Sequence, residues 1–181
     1  MGIITGIAII GMFSSCEDVG GLFEDFGLTL TSDYYESEFA IPPVQAGTAF
    51  STETIFREDL DSLLAKHGYE NVTVNSVKVL NALILVSEKS RVANLNAIDT
   101  VSISASTDQL EERTVAYQKN TEIDATSLFM LMPEADVTPY IESEACNLTY
   151  FGGLKENIED TLWVTAKIQY EIKFTVKTLN D

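Results

Sequence analysis

The feature that most constrains the fold is a long run of alternating residues near the end of the chain. Its apolar members are Leu162, Val164, Ala166, Ile168, Tyr170, Ile172, Phe174 and Val176, and polar residues separate them. Because successive side chains of a strand point to opposite faces, this pattern predicts one long strand with a single buried face. Trp163 falls on the polar face, where a Trp is expected to meet either a cover, such as a helix, or a partner.

Shorter alternating stretches predict further strands. They cover residues 28–35, 72–86, 101–105, 114–117, 127–132 and 146–151. The 72–86 strand is expected to be irregular near Leu80-Asn81, and Gly152-Gly153 is expected to form the turn before the last strand. Tyr34 and Tyr35 lie together in the first stretch, so one is expected to face the core and the other to face water.

Only one good helix is predicted among these strands. Its apolar face consists of Phe56, Leu60, Leu63 and Leu64. Thr54 is the N-cap candidate and Gly68 the expected stop, with weaker helical turns over 92–95 and 139–143. Many short strands with few helices favour a mainly β fold. We expect an antiparallel β-sandwich, immunoglobulin-like or similar, with one short amphipathic helix; a barrel is the open alternative.

The composition limits the partners of the protein. The 181 residues include 28 Asp and Glu against 11 Lys and Arg, which gives a formal net charge of -17. Nucleic acid requires clustered basic residues, so no nucleic-acid partner is expected. Attraction to an anionic membrane by charge alone is disfavoured for the same reason.

The sequence contains no recognisable catalytic motif. There is no GxSxG, no Ser-x-x-Lys and no Gly-rich phosphate loop, and His67 is the single histidine. We therefore predict no enzyme activity, no catalytic residue and no metal or cofactor site. His67 is expected to cap the negative end of the helix, and Cys146 to be a buried structural thiol. Incidental calcium binding stays open, although residues 58–61 lack the Gly and alternating acids of an EF-hand loop.

The beginning of the chain has the features of an export signal. Residues 3–13 are apolar and uncharged, too short to span a bilayer as a helix but long enough for the core of a signal peptide. Phe13-Ser14-Ser15-Cys16 then resembles the lipobox of bacterial lipoproteins. Phe13 replaces the usual Leu, and no basic residue precedes the apolar run, so the signal peptide is read as N-terminally truncated. A buried N-terminal strand that ends in Cys16 is the alternative.

The resemblance extends to the layout of the chain. Glu17 and Asp18 follow Cys16, an acidic tether leads to the strands, and a long amphipathic strand closes the chain. This layout resembles the small, uncharacterised β-sandwich lipoproteins of Bacteroidota. It implies a signal peptide over 1–15, a covalent lipid on Cys16, a tether over 16–27 and one domain over 28–181. The implied location is the outer membrane, on the cell surface or the periplasmic face.

These features lead to one main functional expectation and two alternatives. The main one is a lipid-anchored, non-enzymatic binding or accessory subunit that has a protein partner in an envelope complex. The first alternative is a glycan-binding module of a polysaccharide-uptake system, with Trp163 and either Tyr34 or Tyr35 on one open face. The second is a fimbrial or structural subunit with an exchangeable terminal strand over 162–179.

Overall fold

The computed structural model describes residues 26–56, 59–121, 124–143 and 145–176. Within these ranges the chain forms nine strands and two short helices. The strands are β1 (Phe26–Thr31), β2 (Tyr35–Ile41), β3 (Ala49–Phe56), β4 (Val72–Val86), β5 (Ile98–Ser106), β6 (Arg113–Lys119), β7 (Ser127–Phe129), β8 (Cys146–Leu154) and β9 (Leu162–Val176). The helices are α1 (Leu60–Lys66) and α2 (Thr138–Ile141).

The strands form two antiparallel sheets that pack face to face as a β-sandwich, which confirms the predicted fold class. The large sheet has the order β1-β9-β4-β7, with β2 also paired to β9, and the small sheet has the order β3-β8-β5-β6. Stacked aromatic rings join the sheets: the Phe39 ring lies 4.5 Å from that of Tyr150 and 6.3 Å from that of Phe50. Burial of these rings supplies much of the hydrophobic free energy of the core.

The long final strand is confirmed, and its position in the sheet explains its length. In β9 the residues from Leu162 to Phe174 alternate between buried and more exposed positions, with the apolar set inside. β4 pairs with one side of β9, while β1 and β2 follow one another along the other side. Because β9 has partners on both sides, it is the central strand of the large sheet and not an edge.

The predicted irregularity in β4 is also confirmed. The pairing with β9 shifts register between Val79 and Asn81, and a second shift lies between Val74 and Ser76. Such bulges bend a long strand and increase its twist. They let β4 follow β9 over its whole length.

A short helix is present where one was predicted, but it begins later in the chain than expected. Thr54 and Phe56 belong to β3, where backbone pairing with β8 outweighs the helical spacing of the apolar residues. Asp59 is the actual N-cap and accepts from the backbone N–H groups of Asp61 and Ser62 at 3.3 and 3.2 Å. Gly68 ends the helical region with a positive φ of 85°, as expected of a C-terminal glycine.

Three smaller predictions need correction or confirmation. Residues 92–95 form bends instead of a helical turn, whereas the 139–143 stretch overlaps α2, which has Pro139 in its first turn. Gly152-Gly153 does not form a turn but lies inside β8. A Cβ on Gly152 would lie 2.2 Å from the Thr100 carbonyl oxygen and 2.6 Å from the Phe50 ring. Gly152 is therefore required by close packing against β5 and β3, its two neighbours in the small sheet.

Candidate binding surface

The predicted anchoring residue, Cys16, and the segments around it lie outside the described residues. The first described strand begins at Phe26, two residues before the expected start of the domain. Of the described helices, none has both the length and the apolar run that crossing a bilayer requires.

Trp163 lies on the outer face of the large sheet and is half-buried. The Lys89 ammonium nitrogen lies 4.3 Å from the centroid of the Trp163 ring. The backbone N–H of Trp163 donates to Ser90 Oγ at 3.3 Å. The cover over the indole is thus the turn after β4, not the helix. A cation that occupies the face of the ring leaves less of it for a ligand.

Tyr34 and Tyr35 do not share a strand. The predicted strand over 28–35 breaks after Thr31, which places Tyr34 in the short connection to β2 and Tyr35 at the start of β2. The Tyr35 ring packs against Phe56 with the ring centroids 4.6 Å apart. Tyr35 pairs with Ile168 of β9, five residues along the strand from Trp163. Tyr35 therefore packs against the core and does not share an open face with Trp163, whereas Tyr34 is 41% exposed.

Cys146 is buried, as expected. Burial in apolar surroundings raises the pKa of its thiol to about 11, so it is a neutral thiol at physiological pH. His67 is the C-cap of α1 and is exposed. Asp59 is engaged in the helix N-cap, and Glu58 lies outside the described residues. Within the described ranges, no three His, Cys, Asp or Glu side chains are grouped as a metal site requires.

The surface that stands out is the solvent side of the small sheet, here called the neutral face. Its two central strands direct Asn147, Thr149, Phe151 and Gly153 from β8 and Thr100, Ser102, Ser104 and Ser106 from β5 to this side, although Ser104 is itself buried. None of these eight residues is charged. Charged residues lie at its margins: Asp99 at the bulge near the start of β5, Glu53 on β3 and Lys119 on β6. For a chain with a net charge of -17, this is an unusually uncharged surface.

One line of residues crosses the neutral face at right angles to the strands. Strand pairing places Phe151 opposite Ser102, Ser102 opposite Tyr117, and Tyr117 opposite Leu131; these four residues are here called the aromatic row. The side chains of Phe151, Tyr117 and Leu131 are 50%, 48% and 54% exposed. Large apolar side chains are thus held in line on a flat, uncharged surface.

Local packing fixes the direction of the Phe151 side chain. Its neighbours Tyr150 and Gly152 both face the core, and the Tyr150 hydroxyl is hydrogen-bonded to Ser37 of the opposite sheet. Alternation then points Phe151 outward. Ser102 Oγ donates to the Phe151 carbonyl oxygen at 3.3 Å, which ties β5 to β8 at the centre of the row.

A bulge in β6 fixes the direction of the Tyr117 side chain. Ile103 pairs with Ala116 but Ser104 pairs with Thr114, so Val115 is an extra residue in β6. Val115 and Ala116 are both buried, and Tyr117 therefore faces outward. Two backbone hydrogen bonds of 2.9 and 2.8 Å join Tyr117 to Leu131 and hold the end of the row.

The aromatic row was not found from the sequence. Phe151 could have been identified, because Leu148 and Tyr150 are an inward pair in a predicted strand and Phe151 has the opposite parity. Tyr117 could not, because regular alternation from Val115 would have pointed it inward.

The comparisons with known proteins identify no family. No protein-family model matches the chain, and no curated protein matches it. One solved structure that is similar is titled Desmodium yellow mottle tymovirus; it is 9% identical, and the match covers 92% of this chain and 99% of that one. Its TM-score is 0.28, at which the likeness carries no argument about fold or function.

Proposed function

We propose that this protein is a non-enzymatic binding subunit of the cell envelope, held in the outer membrane by a lipid on Cys16. It presents the neutral face to a partner in an envelope assembly. The observation that carries the proposal is the aromatic row, three half-exposed apolar side chains in line on the neutral face. Exposed apolar groups in a connected line are typical of binding surfaces.

Two features of the molecule support a binding role over the structural alternative. A fimbrial subunit of the expected kind would exchange its terminal strand, yet β9 is paired on both sides within the large sheet. Removing β9 would break three strand pairings at once and expose the core residues that it carries, such as Ile168 and Phe174. The row on the small sheet, by contrast, is accessible without any rearrangement.

The proposal is tested by extracting the full chain from native membranes with a mild detergent. Mass spectrometry of the N-terminal peptide reports acylation at Cys16. We expect an acylated chain that is retained on immobilised envelope material. Retention should be lost in the Phe151→Ser/Tyr117→Ser double variant and kept in Ile55→Ser, since Ile55 is 51% exposed on the same sheet but lies off the row.

Either of two results contradicts the proposal. An unacylated chain found in the soluble fraction removes the anchor. Equal retention of the double variant and Ile55→Ser removes the binding surface.

A further inference from the structure

We propose that the neutral face binds an uncharged glycan chain that lies across the strands, along the aromatic row. The rings of Phe151 and Tyr117 are the platforms on which sugar rings stack. This inference rests on the proposed binding function and names the ligand class of the same surface. Its residues differ from Trp163, Tyr34 and Tyr35, which the sequence alone suggested for a glycan site.

The spacing of the row suits a chain of sugars. Phe151 is on β8 and Tyr117 is on β6, with Ser102 of β5 between them. Two strand spacings separate the aromatic residues by about 9.6 Å. This is close to the length of a disaccharide in an extended glycan, so the two rings would meet alternate sugar units. Ser102, with its small side chain, leaves room for the unit between them.

The chemistry around the rings also suits carbohydrate. A sugar offers C–H groups on its ring face and hydroxyl groups around its edge. The π-faces of aromatic rings pack against the C–H groups. Hydroxyl and amide side chains can donate hydrogen bonds to the sugar hydroxyl groups and accept hydrogen bonds from them. Thr100 and Thr149 lie in the rows on either side of the aromatic row. Thr100 Oγ1 accepts from the Gly153 N–H at 3.2 Å, so this threonine keeps its own hydroxyl proton as a donor.

The distribution of charge favours an uncharged ligand. With a net charge of -17, the protein repels acidic polysaccharides, whereas a neutral glycan experiences no such repulsion. Strand pairing places Glu53 opposite Thr149 and Lys119 opposite Thr100, in the rows on either side of the aromatic row. A glycan that follows the aromatic row therefore need not desolvate either charge.

The composition of the face is less suited to a protein partner. The centres of protein interfaces are enriched in aromatic residues, Met and Arg and depleted in Ser, and Ser and Thr are under-represented among hot spots. On β5 the accessible outward residues with hydroxyl groups are Thr100, Ser102 and Ser106, whereas Ser104 is buried. A glycan uses such hydroxyl groups directly, whereas a protein interface gains little from them.

Isothermal titration calorimetry of the full chain tests the inference. The probes are cellohexaose, xylohexaose and mannohexaose, with a hexamer of galacturonic acid as the charged counterpart. We expect at least one neutral hexasaccharide to bind and the charged one not to. Phe151→Ala and Tyr117→Ala should each weaken binding about tenfold or more. Tyr117→Phe should keep it, because stacking needs the ring and not the hydroxyl, and Ile55→Ala is the matched control.

The opposite results overturn the inference. They are no binding of any neutral hexasaccharide to the wild type, tighter binding of the galacturonate, or equal binding by the two alanine variants and the wild type. Thermal melts show whether each variant is folded. If envelope retention needs Phe151 and Tyr117 while no sugar binds, the face has a protein partner, and the glycan inference fails although the proposed function stands. If retention is also independent of both residues, both fail.

Discussion

The outer faces of the two sheets are built from different residues. Charged side chains cross the large sheet: Lys167 pairs with Glu36 at 2.6 Å, and Lys89 pairs with Glu38 at its rim. At its outward-facing positions, the neutral face of the small sheet instead has hydroxyl groups, one amide and the aromatic row. Both faces belong to the same sandwich and cover the same core, so the fold does not require the difference.

This contrast indicates where a ligand would bind. Exposed ion pairs are well solvated and contribute little to stability, so the Lys167–Glu36 and Lys89–Glu38 pairs of the large sheet mainly serve solubility. The same face also carries the exposed Phe129 at its β7 edge. The half-exposed rings of Phe151 and Tyr117 on the neutral face leave apolar surface in contact with water, which is unfavourable. Their exposure is explained if another molecule covers them.

The largest expected effect comes from Gly152, whose lack of a side chain allows the small sheet to form as it does. Gly152→Val places a branched side chain where even a Cβ would lie 2.2 Å from the Thr100 carbonyl oxygen. We expect a loss of about 3 kcal/mol in the free energy of unfolding, measured by urea denaturation. Gly153→Ala is the control, because its Cβ would lie 3.3 Å from Thr100 Oγ1 alone. Equal losses in both variants would contradict the packing account.

An intermediate effect is expected from making the neutral face resemble the charged one. Phe151→Glu should abolish retention on envelope material while changing the free energy of unfolding by no more than about 0.5 kcal/mol. Thr29→Glu places the same charge on the large sheet, opposite Lys173, and should leave retention unchanged. Retention assays and thermal melts measure both. A loss of retention in Thr29→Glu as well would show that net charge matters more than the face.

The smallest effect is expected on the charged face. Hydrogen bonds from Lys89 and Ser87 lower the pKa of Glu38 from its ordinary value of 4.5. A lowered folded pKa contributes stability above pH 4.5, and that contribution is lost as the pH falls through the folded pKa. In Glu38→Gln, the free energy of unfolding, measured by urea denaturation at a series of pH values, should therefore fall slightly less steeply as the pH drops below 4.5. This difference from the wild type should shrink at about 1 M salt, where the Debye length is about 3 Å; an unchanged pH dependence would contradict the pairing.

Much of the fold could be predicted because it depends on local pattern. The alternation along β9, the register shift at Asn81 and the stop at Gly68 each follow from residues close in sequence. The start of the helix was misplaced because Phe56 fits both the apolar face of a helix and the alternation of a strand. Its pairing with Cys146, ninety residues later, decided between them.

The proposed binding surface was harder to predict because its residues come from several strands. Trp163, Tyr34 and Tyr35 were chosen by residue type and parity, but whether a ring is open or covered depends on contacts such as that of Lys89 with Trp163. The aromatic row joins β8, β5 and β6 through strand order, which no local pattern contains.

The sequence by itself therefore determined that the chain is an acidic, mainly β protein with one long buried-face strand and a helix that ends at Gly68. Only the tertiary structure decided that β9 is central, that Gly152 is a packing position and that Tyr117 faces outward. The physical reason is that a strand's alternation depends on its own residues. Its neighbours, its bulges and the space beside it depend on residues far away in sequence.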